Sequence, residues 1–411
     1  MSSLILRLLV TAAGVALPSL LAEVALPGVH EELWVRAVSD GPGSAYLSIG
    51  VLGLDGVLLS FVLVELTALI VPRWRALRRG PGRLALMRAT FAFAAVLVVL
   101  QALYLSWATR SFGWGFVEPG LGPLVLDAVA LLGGTLLLLA GARAVSRWGA
   151  GHGLSVVVVL GALPGWLERA WVSDGTGDPE AIARTLVLAT IATAFLVGRE
   201  VREERVPIAG LLPLLLPGWA MQMVGFATMF LPLALPGWVY ASPPWVTVAF
   251  LVLLTLVPGW LARRDRSLAA LRRRGPAIAL SAACLFAIVE ADRALDWEVS
   301  LLASGGGIAF FVMAVTVALD VLREAGLHAR SELVAILAFS DVAVADRVGA
   351  RLSEADIPFV MRGVGHRTLL RFFGPWVPVR LLVPVERAAE ARRIARSEER
   401  REDYEEIASA F

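Results

Sequence analysis

Two apolar runs, Ala45 to Val71 and Leu84 to Trp107, flank a turn that carries Arg73, Arg75, Arg78, Arg79 and Arg83. A helix of ~20 residues crosses a hydrocarbon core of about 30 Å, so each run is long enough to span a membrane. In lipid the backbone must satisfy its own hydrogen bonds, which restricts both runs to helices. The expectation is a transmembrane hairpin whose arginines hold the connecting turn in the cytoplasm. Gly53, Asp55, Gly56, Ser60 and Glu65 interrupt the first run. A span with two carboxylates is expected to turn them to a bundle interior or a water-filled path rather than to lipid.

Composition extends this reading to the whole chain. Of 411 residues, 58% are hydrophobic and the mean hydropathy is +0.74, values of a polytopic membrane protein rather than a soluble domain. The net charge is only +2 and every basic residue is arginine. The basic balance therefore reports loop arginines, and no nucleic-acid-binding surface is implied. With Cys284 as the one cysteine, an internal disulfide or a cysteine-built metal site is excluded. His30, His152, His328 and His366 lie far apart in sequence. No phosphate-binding loop, ligand cluster or nucleophile-base set is apparent, so neither an enzyme nor a cofactor is expected.

Counting apolar runs gives ten spans. They are Leu4 to Ala22 (read as an uncleaved first helix rather than a signal peptide), the hairpin pair, Leu124 to Ala144, and a fifth ending near Trp171. Five more follow: Ile182 to Val197, Leu211 to Leu231, Trp245 to Ala262, Pro276 to Val289, and one from Gly305 through Asp320. Arginines crowd alternate turns. The remaining turns hold Glu31, Glu32, Asp40, Glu118, Asp174, Asp178, Glu180, Asp292, Asp296 and Glu298. Positive-inside bias then places both termini in the cytoplasm.

Several stretches resemble SecY, the channel-subunit family of the Sec protein translocon, in the same order. Leu52-Gly53-Leu54-Asp55-Gly56-Val57-Leu58, continuing to Glu65-Leu66-Thr67 and Pro72, is similar to the second helix of that family. Leu26-Pro27-Gly28-Val29 resembles the element after its first helix, and Gly149-Ala150-Gly151-His152-Gly153-Leu154-Ser155 the glycine-rich start of its fifth. Ala150 and His152 depart from that signature. The turn Arg199 to Ile208 resembles the family's loop after helix six, and Val315 to Asp320 its final helix.

The resemblance implies two inverted five-helix halves, an aliphatic pore ring, and a plug, here a small one, between His30 and Ser44. Carried over position by position, the ring is Leu54, Leu58, Val158, Ala162, Gln222 and Met313, with the register near Gln222 open; simple helix packing is the alternative. Asp55 and Glu65 would line a wetter pore or pair with arginines. Gly149, Gly151 and Gly153 are structural. Arg202, Arg205, Arg266, Arg272 and Arg273 lie on the turns that would dock a ribosome or a SecA motor, although both turns are shorter than the family's.

From Ser331 the composition changes. Glu332 to Phe339, Pro358 to Met361 and Val377 to Pro384 read as strands, Asp341 to Ala355 as an amphipathic helix, and Glu386 onward as a charged helix. This βαββα order resembles a compact bacterial signal-transducing domain family, in the strand-Asp-helix start, the turn Ala355-Asp356-Ile357-Pro358 and the strand Val379 to Pro384. Here Arg362, His366 and Arg367 form either an anion site or a solvated loop.

The expected architecture is an all-α polytopic membrane domain over residues 1–325, a small cytoplasmic α/β domain over 331–400 and a charged tail over 401–411. The implied function is protein conduction across or into a bacterial plasma (inner) membrane. The implied partners are SecE-like and SecG-like subunits, SecA or a ribosome, the translocating polypeptide and the lipid bilayer. A non-translocating membrane scaffold with a sensory domain is the alternative.

Overall fold

The computed structural model describes residues 2–30, 47–71, 74, 82–111, 120–163, 305–339, 342–364 and 378–398. The chain divides into two compact units. One comprises Met1–Trp166, Thr316–Arg367 and Phe372–Phe411; the other comprises Leu167–Val315 and Thr368–Arg371. In the second unit, the described residues are 305–315. The spans expected between residues 164 and 304 lie outside the described residues, as does most of the segment read as a plug.

The first unit begins with four helices: α1 (Ser2–Ala22), α2 (Asp55–Ile70), α3 (Gly82–Ser111) and α4 (Leu121–Trp148). Among the described residues, Leu4–Ala22, Ala85–Ala108 and Leu121–Trp148 are long and apolar enough to cross a membrane. Their outer faces fit that medium. Leu6, Leu9 and Leu20 on α1, Val96 and Trp107 on α3, and Val125, Val129 and Leu136 on α4 are exposed. In water such an array would cost ~25 cal/mol per Å² of apolar surface, a cost that lipid contact removes.

The hairpin differs from expectation in its first arm. Residues 47–54 form turns and an isolated bridge, Ala25↔Ser48, and α2 starts only at Asp55. Its 16 residues extend about 24 Å at ~1.5 Å per residue, short of a full crossing. Glycine punctuation is the cause. Gly53 sits at φ 54°, outside the right-handed helical region and open mainly to a residue without Cβ. Asp55 then takes the first helical position, where the helix dipole favours an acid. Leu47 and Ile49 tie this segment to the end of α1: Leu26 N–H donates to Leu47 O at 2.8 Å, and Ile49 N–H to Val24 O at 2.9 Å. The Pro27-Gly28 pair makes the intervening turn, with Gly28 at φ 78°.

The helix α6 (Gly305–His328) runs two turns beyond the Asp320 boundary. It leads to β1 (Leu333–Phe339), α7 (Val342–Glu354), β2 (Val360–Arg362), β3 (Val379–Pro384), a 3-10 turn (Val385–Arg387) and α8 (388–398). The sheet order is β1-β3-β2, with both pairings antiparallel. Helices and sheet bury Ile336, Phe339, Val348, Leu352, Ile357, Leu381 and Val383 between them. The sequence shows why α7 stops where it does. Asp356 takes φ 54°, Ile357 N–H reaches back to Leu352 O at 2.9 Å, and Asp356 N–H reaches Ser353 O at 3.0 Å. This is a Schellman closure, sealed by the buried pair Leu352 and Ile357.

Candidate pore lining and the turn that leads into it

On α2, Leu58 N–H donates to Leu54 O at 2.9 Å, which sets the two leucines one turn apart on one face. Leu54 is buried and Leu58 half-buried, while the Asp55 side chain between them is exposed. Glu65 lies on the same helix, but its side chain is outside the described residues. The face behind Leu54 is closed by α4: Thr135 Oγ1 donates to Gly53 O at 3.0 Å.

The described part of the stretch read as a fifth span is not a plain α-helix. After the short α5 (Gly153–Ser155), residues Val156–Leu160 wind as a π-helix, and Gly161 N–H bonds back to Val156 O at 3.1 Å. The i, i+4 spacing of Val158 and Ala162 therefore falls on wider turns than expected. π-turns recur at functional positions because they widen a helix and re-aim its side chains. Val156, Val157 and Val159 are buried, Val158 is half-buried and Ala162 exposed. Met313, in the second unit, is half-buried. Gln222, Arg202, Arg205, Arg266, Arg272 and Arg273 lie outside the described residues.

Span five enters through the Gly149–Gly153 turn, where the polar chemistry of the unit concentrates. Gly151, at φ 86°, needs a residue without Cβ. Gly153 lies so close to α4 that a Cβ there would collide with the Ala142 carbonyl. The turn is tied on three sides. From α1, Thr11 Oγ1 accepts the Ala150 N–H at 2.8 Å. From α4, Ser146 Oγ accepts the Gly153 N–H at 2.9 Å. From α6, a carboxylate oxygen of Glu324 accepts the Gly151 N–H at 2.9 Å.

Glu324 is fully buried, and the group that neutralises it comes from β2. Arg362 Nε donates to Glu324 Oε2 at 2.7 Å, and its Nη2 donates to Oε1. The remaining arm, Nη1, donates to the Ser146 carbonyl at 2.8 Å. His328 Nε2 stands 3.6 Å from Glu324 Oε1, within ion-pair range but too long for a hydrogen bond. Glu324 lies one turn past Asp320, beyond the apolar stretch of α6. Burial alone would push its carboxyl up. The His328 ring, the Arg362 guanidinium and the Gly151 amide together outweigh burial and hold it at about 2.

Arg362, read from sequence as part of an anion site or a solvated loop, is therefore a buried strand residue whose anion is Glu324 of the same chain. His366 and Arg367 lie outside the described residues. A second buried pair joins α3 to α4, where Arg110 Nη2 reaches Asp127 Oδ2 at 2.6 Å. Arg110 Nη1 also donates to Ser106 O at 2.7 Å. Neither pair was visible beforehand. The signal available was an acid within or just past an apolar run, the kind of residue that needs a partner. Among the described residues, no group of three His, Cys, Asp or Glu side chains is placed to hold a metal ion.

No family model matches the chain. It is 28% identical over 131 residues to protein translocase subunit SecY of Bacillus licheniformis, covering 30% of each chain. It is 25% identical over 173 residues to the SecY subunit of Thermus thermophilus, covering 39% of this chain and 40% of that one. The matched stretches thus span less than half the length of these curated relatives. A solved protein-conducting channel aligns with 77% of this chain and 92% of its own at 15% identity and a TM-score of 0.46. Sec61 in the canine ribosome-channel complex aligns with 77% and 92% at 14% identity and a TM-score of 0.44. Over these stretches, less than half of its length, the chain is similar in sequence to two bacterial SecY subunits.

Proposed function

We propose that this chain is the channel subunit of a Sec-type preprotein translocase in a bacterial plasma membrane, passing unfolded polypeptide across or into the bilayer. The sequence match to SecY translocase subunits carries the reading. Leu54, Leu58, Val158, Ala162, Gln222 and Met313 would form an aliphatic waist that excludes water and ions yet yields to a passing chain. Asp55 and Glu65 would wet the path beside it. Ten spans in two inverted halves, with both termini in the cytoplasm, complete the proposal, and a SecE-like clamp is the expected partner. SecG-like, SecA or ribosome partners would follow the same analogy.

A second reading is a non-translocating scaffold that carries a sensory domain. The C-terminal sheet favours it, because β2 is bonded to Glu324 of α6 and to the Ser146 carbonyl of α4 and so gives the α/β domain direct purchase on the bundle. Two measurements separate the readings. A channel co-purifies with a SecE subunit, and a stalled secretory chain crosslinks to a photoreactive residue at Leu58 or Met313. Absence of both leaves the scaffold.

A further inference from the structure

The seat of Arg362 is built from two elements distant in sequence. Glu324 of α6 supplies a buried carboxylate, and the Ser146 carbonyl of α4 supplies a second acceptor. The same carboxylate oxygen that takes Arg362 Nε also takes the Gly151 N–H. One side chain of the soluble domain thus completes a chain of hydrogen bonds that ends in the glycine turn. Its three guanidinium nitrogens are spent on two acceptors, a fixed-fork arrangement that lysine cannot reproduce. Opposite Arg362 in the sheet stands Arg380 of β3. Like charges facing across a ladder repel, so the carboxylate is what makes this face of the sheet tolerable against the helices.

We propose that the C-terminal α/β domain is a latch on the turn opening span five, with Arg362 as its bolt and Glu324 as the shared keeper that binds bolt and turn together. Seating Arg362 fixes the Glu324 carboxylate in the one rotamer that accepts the Gly151 amide. Withdrawing it leaves a buried carboxylate without its counter-ion, which turns toward water and releases the turn. The domain thereby controls the mobility of the π-helical stretch that carries Val158 and leads to Ala162, a consequence that rests on the channel reading.

Amide hydrogen exchange on the full-length chain in nanodiscs tests the latch without requiring conduction. In Arg362→Ala, amides of residues 149–155 exchange about tenfold or more faster, while β1 and β3 keep their protection. Arg362→Lys recovers less than half of the loss. Glu324→Ala loosens both the turn and β2, and the double variant exchanges no faster than Glu324→Ala alone. Unchanged exchange at 149–155 in Arg362→Ala, or additive losses in the double variant, overturns the latch. If Arg362→Ala also strips protection from β1 and β3, Arg362→Lys, which keeps the charge in the domain, decides by the same criterion. Ion conductance of Arg362→Ala in planar bilayers then reads what the latch governs. A loosened turn with wild-type conductance upholds the latch and removes its role at the pore.

Discussion

Replacing Gly153 with alanine probes the closest packing at any glycine among the described residues. A Cβ at that position would lie 2.7 Å from the Ala142 carbonyl carbon and 2.7 Å from Ser146 Oγ, closer still to the Ala142 oxygen. Two of these three atoms are backbone, so rotating a side chain does not clear the space. Forcing a methyl group into packed surroundings costs about 1–3 kcal/mol. Retreat of the turn lengthens the 2.9 Å bond from Gly153 N–H to Ser146 Oγ, worth about 1 kcal/mol. Alanine returns up to ~1 kcal/mol by its better helix propensity. The net loss is about 1–3 kcal/mol. Gly326 in α6 is the control, because nothing lies within 4 Å of a Cβ built there. Gly326→Ala should keep the propensity gain of ~1 kcal/mol with no clash. Thermal unfolding of the detergent-solubilised protein, followed by fluorescence-detected size-exclusion chromatography, should therefore move in opposite directions for the two variants. The shifts should not exceed roughly 2–4 °C per kcal/mol. A Gly153→Ala variant that melts with the wild type would refute the close approach of the turn to α4.

Other perturbations follow from the buried ions. Asp127→Ala removes the carboxylate partner of the part-buried Arg110 and should cost about 1–3 kcal/mol, whereas Asp127→Leu with Arg110→Met should recover most of the loss in the same melting assay. Because the folded pKa of Glu324 is depressed from 4.5 to about 2, its contribution is present in full above pH 4.5 and is lost as pH falls through 2. At about 1.4 kcal/mol per pKa unit this amounts to roughly 3 kcal/mol. The gap in melting temperature between wild type and Glu324→Gln should thus be constant above pH 5 and shrink towards pH 2; a gap that widens on acidification would contradict this assignment. Asp55→Leu should lower ion leakage through the reconstituted protein if Asp55 lines the path, and unchanged conductance would place it elsewhere.

The sequence made the long apolar helices legible because their signal is local: residues 4–22, 84–107 and 124–144 are helical over nearly the stretches expected. The stretch 332–339, read as a strand, and the amphipathic 341–355 likewise match β1 and α7 within a residue or two. The hairpin's first arm misled because hydropathy counts Gly50 and Gly53 as permissive, while the backbone treats Gly53 as a place to leave the helix. The π-turn in Val156–Leu160 was invisible, since four valines in a row have no preferred phase. Sequence left Arg362 between an anion site and a solvated loop, and named no anion. Glu324 lies 38 residues away, and only the fold brings the two together. Asp127 and Arg110, 17 residues apart, are the same kind of case.

The wide turn at Val156–Leu160 has one more implication. A π-turn is an α-helix with a single surplus residue, and here the surplus falls within a homopolymer. Sliding it one place along exchanges valine for valine in every socket, so side-chain identity exerts no preference among the neighbouring settings. Deleting one of the four valines should leave a regular α-helix whose flanks keep their original bearing. An insertion-deletion scan across this stretch would find it tolerant of a lost residue, where the tightly seated glycine turn just before it is not.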